Sequence, residues 1–98
     1  MKIFLGSDHG GFELKEQVKS FLTHEDHDIE DCGALVLDPR DDYPDFIEKA
    51  ARGVIREEKS IGIVFGKSGA GECIAANKVK GIRAVIGFSP ENVRLARE

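Results

Sequence analysis

The chain has 98 residues, 41% of them apolar and 33% charged, with a formal net charge of −4. That length bounds it to one domain, residues 1–98, and the apolar share is enough for a real core. The negative balance argues against nucleic acid as a partner, because phosphates demand a basic surface. It leaves a phosphorylated small molecule open, since one site can be locally positive. No apolar run approaches the ~20 residues needed to cross a bilayer. The start, Met1 to Gly6, has no small-residue cleavage pattern, so no signal peptide is expected. Cys32 and Cys73 stand far apart without metal-like spacing, and the three histidines are scattered. Two thiols in such a chain point to a reducing, cytoplasmic setting, and no metal or cofactor is expected.

In chain order, Ile3-Phe4-Leu5 is a short continuous apolar run ended by Gly6-Ser7-Asp8-His9-Gly10-Gly11. It predicts a buried strand followed by a glycine-rich turn. Leu14, Val18, Phe21 and Leu22 then recur at helical spacing, with Lys15, Glu16 and Lys19 between them, which predicts an amphipathic helix. Ile29 to Cys32 is a second candidate strand, interrupted by acids. Gly33 to Asp45, with Pro39, Pro44 and a run of aspartates, predicts a loop, and long ordered loops in small domains are often functional. A second helix follows, with Phe46, Ile47, Ala50, Ala51, Val54 and Ile55 on one face and Pro44 at its first turn. Ile61 to Phe65 predicts a strand that runs into Gly66-Lys67-Ser68-Gly69-Ala70-Gly71-Glu72 and a short helix through Ala76. Ile82 to Ile86 predicts a fourth strand. Ser89-Pro90-Glu91 carries the residues of a helix start, which places a last helix at the end.

Strand–helix alternation with continuous apolar strands predicts a parallel sheet covered on both faces, a three-layer α/β/α sandwich. In such folds ligands bind beyond the carboxyl ends of the strands. The two glycine-rich turns, after Leu5 and after Phe65, lie at such ends and are expected to face one shared site.

Gly66 to Glu72 is the most informative segment. Its glycines let backbone N–H groups approach a ligand at a helix N-terminus, where an anion or a developing oxyanion is stabilised. The spacing of Lys67 and Ser68 is not that of a P-loop, and the pattern is not the dinucleotide fingerprint. A tight turn without a ligand is the alternative. Glu72 falls in the first turn of the next helix, a common place for a carboxylate. Beside an oxyanion-binding loop it has a second use, removing a proton from carbon next to a carbonyl. Asp8 and His9 are either a local cap or ligand contacts, Asp8 on sugar hydroxyls and His9 on phosphate or ring oxygen. Tyr43 either reaches the same mouth or packs at a helix entrance. Lys67 either contacts an anion or is an ordinary exposed lysine. Cys32 and Cys73 are expected to be small buried side chains rather than nucleophiles, and His24 and His27 to be solvated.

Taken together, Gly6 to Lys15, Asp31-Cys32-Gly33, Asp42-Tyr43-Pro44, Gly66 to Glu72, Ile74 to Lys78, Gly81 to Ala84 and Arg94 to Arg97 resemble ribose-5-phosphate isomerase B. The subunits of galactose-6-phosphate isomerase share much of this pattern. The resemblance implies a Rossmann-like sandwich, a homodimer or homotetramer, and a metal-free interconversion of ribose 5-phosphate and ribulose 5-phosphate in the pentose phosphate pathway. Isomerisation of a six-carbon sugar phosphate (allose or galactose 6-phosphate) is a variant of the same chemistry. A module that binds a sugar phosphate without turning it over is the competing expectation. The resemblance further implies Glu72 as proton acceptor and the Ser68 hydroxyl with the Lys67 to Gly71 backbone as anion hole. Asp8, His9, Tyr43, Lys67, Gly69, Ala70 and Gly71 would then meet substrate. A second subgroup of the family uses a cysteine where this chain has Gly66. Members of the family are longer, and the His-Asn segment that opens the sugar ring and the phosphate-binding arginines do not map onto these residues. The 98 residues are therefore expected to be the N-terminal part of a longer isomerase.

Overall fold

The computed structural model describes residues 1–36 and 43–97, without the side chains of Tyr43 and Pro44. Among them, Lys2–Ser7 forms β1, Asp28–Asp31 forms β2 and Ile61–Phe65 forms β3. The helices are α1 (Phe12–His24), α2 (Tyr43–Arg56), α3 (Ala70–Asn77) and α4 (Pro90–Arg97). All strand pairs are parallel, in the order β2-β1-β3.

β1 is apolar without alternation because both its faces are covered. Ile3 and Leu5 join Phe65, Val18 and Leu22 beneath α1. Phe4 and Gly6 point the other way, against α2: the Phe4 ring lies on Gly53, and Gly6 lies against the Phe46 carbonyl and Ala50. Ile47, Ala50 and Ala51 are the buried stripe of α2. Three layers follow directly, as the strand pattern predicts. The chain steps from β1 to β2 on one side and then crosses to β3 on the other, so the order reverses at β1. Crevices at such reversals are where open α/β sheets bind ligands.

Three expectations need correction. Ile82 to Ile86 is not a strand. The backbone groups that a strand would give to a ladder are held elsewhere: the Asn77 side-chain amide donates to the Ala84 carbonyl at 3.0 Å, and the Ala84 N–H donates to Asn77 Oδ1 at 2.8 Å. The segment therefore follows α3 and leaves Val85 and Ile86 exposed. The second correction concerns α1. Leu14 is 53% and Phe21 62% exposed, while Lys15, expected on the polar face, is fully buried. Lys15 is drawn in by a carboxylate, since its Nζ lies 2.6 Å from Asp31 Oδ2. That contact turns the helix so that Val18 and Leu22, but not Phe21, meet the core. The predicted loop from Gly33 to Asp45 ends sooner, at Tyr43, and its residues 37–42 lie outside the described residues. The last helix starts as predicted. Ser89 Oγ accepts the Asn92 N–H at 3.0 Å, and Asn92 Oδ1 accepts the Phe88 N–H at 2.9 Å.

The Asp31 carboxyl gives the fold a pH signature. Burial alone would push it up, but hydrogen bonds from Lys15, the Gly33 N–H and Lys19 outweigh that and hold it below its ordinary value. A carboxyl whose folded pKa is depressed stabilises the fold above its unfolded pKa of ~3.9, and this contribution is lost as pH falls through the folded value. Urea unfolding measured across the acid range is expected to show a steeper loss of stability in the wild type than in Asp31→Asn. Equal slopes would mean that the pair is not formed.

Ser7 gives a second prediction. Its Oγ is buried and has no hydrogen-bond partner among the described residues. An unsatisfied buried hydroxyl costs about 1–3 kcal/mol. Ser7→Ala is expected to leave the melting temperature unchanged or raise it by several degrees in a circular-dichroism melt. A clear drop would show that the hydroxyl is bonded.

Candidate active site

Ser7 and Phe65 are register partners at the carboxyl ends of β1 and β3, so the two glycine-rich turns leave the sheet side by side. They touch. A Cβ on Gly11 would overlap the main chain of Phe65 and Gly66, and one on Gly10 would lie 3.4 Å from the Lys67 nitrogen. Only glycine lets the first turn pass this close to the second. The two turns expected to face one site therefore lie against each other.

The first turn is held by Asp8. This residue is buried, and its Oδ1 accepts the Gly10 N–H at 2.9 Å, capping the single 3₁₀ turn His9–Gly11. A carboxylate keeps further acceptor sites after one such bond, so the cap leaves Asp8 able to meet a ligand. His9 is exposed on the rim.

The second turn ends at Gly69, whose φ of +84° is the left-handed region that favours glycine. Its carbonyl accepts the Cys73 N–H at 2.9 Å, the first bond of α3. Lys67 and Ser68 are exposed. Ser68 Oγ accepts the Ala70 N–H at 3.2 Å, so the hydroxyl already serves as an acceptor and has its own proton to donate. Gly71 and Glu72 follow in the first turn of α3, where N–H groups have no partner within a helix and the helix dipole is positive.

Glu72 is 6% exposed. Its side chain folds back from α3 so that the carboxyl group fills the space above Gly66, where a Cβ would overlap the carboxyl carbon and both oxygens. The carboxylate thus lies between the end of β3 and its own helix, at the strand reversal, beside the loop N–H groups.

Asp8, Lys67, Ser68, Gly69, Ala70, Gly71 and Glu72 therefore come together at one mouth with His9 at its rim. The Tyr43 side chain lies outside the described residues. Sequence reasoning did not foresee that Gly66 makes room for Glu72, or that Gly10 and Gly11 form the contact between the turns. The paired glycines at both strand ends were the available signal.

The cysteines lie apart from this arrangement. Cys73 Sγ donates to the Ala84 carbonyl at 3.3 Å, and burial together with the Glu30 and Asp31 charges pushes the Cys32 thiol up, which keeps it protonated. Among the described residues, no cluster of His, Cys, Asp and Glu is arranged to hold a metal ion, and no helix is long and apolar enough to cross a membrane.

Residues 3–98 match the family model for Ribose/Galactose Isomerase. The chain belongs to this isomerase family. Over its whole length it is 50% identical to ribose-5-phosphate isomerase B of Mycolicibacterium paratuberculosis, covering 62% of that protein. It is 47% identical to the Mycobacterium tuberculosis H37Rv protein of the same name, covering 60% of it. Among solved structures, ribose-5-phosphate isomerase B from Clostridium thermocellum superposes with a TM-score of 0.94 at 43% identity, over all of this chain and 66% of that one. The Mycoplasma genitalium enzyme, solved with bound ribulose-5-phosphate, superposes with a TM-score of 0.91 at 39% identity, over 98% of this chain and 64% of that one. This isomerase-family chain thus spans about three-fifths of the length of the curated relatives it matches.

Proposed function

We propose that the chain carries the proton-transfer half of an aldose–ketose isomerase site acting on a sugar phosphate, with ribose 5-phosphate and ribulose 5-phosphate as the pair interconverted. The observation that carries this reading is the buried Glu72 carboxylate folded over Gly66 beside the glycine-rich turn. In the family's other subgroup a cysteine stands at the Gly66 position. The Glu72 carboxylate fills the space into which that side chain would project, so either residue type can present a base at one point. The match to ribose-5-phosphate isomerases over the whole chain supports the choice of substrate.

In this reading the open-chain aldose lies across the mouth. Glu72 takes the proton from C2, and the electron pair moves into an enediolate. The N–H groups of Gly69 and Gly71, the Ser68 hydroxyl and the Lys67 side chain surround the oxygen on which negative charge develops, a use for which preorganised donors are effective, and the Ala70 N–H orients the Ser68 hydroxyl. The O2 hydroxyl proton passes to O1, Glu72 returns its proton to C1, and the carbonyl is left at C2. Asp8 accepts from sugar hydroxyls, and His9, Tyr43 and the turn backbone orient the chain. Residues 1–98 act as a single domain, in a homodimer or homotetramer, in the cytoplasm.

Proton NMR of ribose 5-phosphate with this chain in D₂O tests the reading. The expected result is ribulose 5-phosphate carrying solvent deuterium. Ligand-induced stabilisation without deuterium incorporation would replace the isomerase with a sugar-phosphate-binding module.

A further inference from the structure

Two charged residues within the family motifs have no part in the chemistry above. Lys15 Nζ lies 2.6 Å from Asp31 Oδ2 and 2.8 Å from Glu16 Oε2, and Lys19 Nζ lies 3.1 Å from the same Asp31 oxygen. The Lys15 side chain is wholly buried and that of Asp31 is 7% exposed. Buried ion pairs seldom add net stability, because leaving water offsets their attraction, and apolar replacements of the same volume are often as good. The reason for this pair lies in what it holds.

Asp31 Oδ1 accepts the Gly33 N–H at 3.0 Å. Gly33 in turn accepts the Ser7 N–H at 2.7 Å, and Ser7 accepts the Ala34 N–H at 2.6 Å. Ser7 immediately precedes Asp8. On the other side, Lys15 lies in the first turn of α1, directly after the 3₁₀ turn His9–Gly11. The pair therefore joins the two stretches of main chain that frame Asp8 to Gly11, the strand side through Gly33 and the helix side through Lys15. Held from both ends, the turn keeps its close approach to Gly66 and Lys67.

We propose that Lys15 and Asp31 are positioning residues for the ligand-facing turn Asp8–Gly11, acting through the main chain to set Asp8 and His9 against the loop Gly66 to Gly71. The role of that turn rests on the isomerase reading. Neither residue touches substrate. Hydrogen bonds from Lys15, the Gly33 N–H and Lys19 hold the Asp31 carboxyl below its ordinary value.

The discriminating variant is Lys15→Met combined with Asp31→Asn. It removes both charges, leaves neither partner as an unpaired ion, and keeps an oxygen for the Gly33 N–H. The melting temperature is expected to stay within a few degrees of wild type. Hydrogen exchange at the Gly10 and Gly33 amides is expected to quicken about tenfold as the turn loosens. The KM for ribose 5-phosphate should rise about tenfold, with a smaller change in kcat, as the sugar contacts lose their placement. Lys15→Arg alone, which keeps the charge, should stay near wild type in all three. Wild-type exchange and KM in the double variant would overturn the proposal. So would a double variant that does not fold, since the pair would then be a stability element. If the wild-type chain does not turn over ribose 5-phosphate, the isomerase reading fails by itself and the amides decide alone. Faster exchange at an unchanged melting temperature supports the positioning role, and unchanged exchange overturns it.

Discussion

Glu72→Gln is expected to lower isomerisation of ribose 5-phosphate by on the order of 10³-fold or more, the range for loss of a positioned general base. The substitution is nearly isosteric. The amide fits the same space above Gly66, so the turn, the helix start and the mouth should survive. It cannot accept the C2 proton. Substrate affinity, read by calorimetric titration, should therefore change little while solvent deuterium ceases to enter the sugar. Because the substitution touches none of the proposed loop donors, stabilisation of the oxyanion would remain available, and residual turnover measures what those donors achieve alone. Persistence of wild-type exchange in Glu72→Gln would remove Glu72 from the mechanism.

Gly66→Ala should separate the fold from the chemistry. The new methyl group would occupy the place of the Glu72 carboxyl group. What must move is the end of a flexible side chain, so the expected change in stability is within ~1 kcal/mol. The Glu72 carboxylate, however, leaves its position, and if it is the proposed base a displacement of ~1 Å in a catalytic group can cost about 10²-fold in rate. Gly11→Ala makes the contrast. There the methyl group meets the main chain of Phe65 and Gly66, which cannot rotate away, and overpacking of this kind destabilises by about 1–3 kcal/mol. Thermal melts paired with kinetics check both. A Gly66→Ala protein with wild-type kcat would mean that the carboxylate is not needed where it lies.

The sequence was most readable where one-dimensional pattern maps directly onto burial. Ile3 to Leu5 and Ile61 to Phe65 are continuous apolar runs and became the paired strands. Ser89 and Pro90 mark a helix start by local chemistry alone, and the cap is there. Ile82 to Ile86 has the same apolar character as the true strands, but strand formation depends on a partner for its backbone. Asn77, five residues before the segment, takes that part at Ala84. Lys15 was unreadable for a related reason. Helical spacing identifies a charged residue as outward-facing unless a carboxylate distant in sequence is waiting for it, and Asp31 is. At the site, the glycines and the carboxylate were visible as residue types. The backward fold of Glu72 over Gly66 was not, because no periodicity encodes the direction of a single side chain.

The pairing of Ser7 with Phe65 joins positions far apart in the chain. Contacts of this kind form only after a large loop has closed, and that closure carries an entropic cost. The mouth therefore does not exist in any partly folded form that lacks the β1–β3 pairing, however complete its helices are. A ligand bridging the two turns binds only molecules in which the central pairing is made, and so draws the population toward them by mass action. A ligand of the two turns, in such a molecule, would act on the folding equilibrium as well as occupy the site.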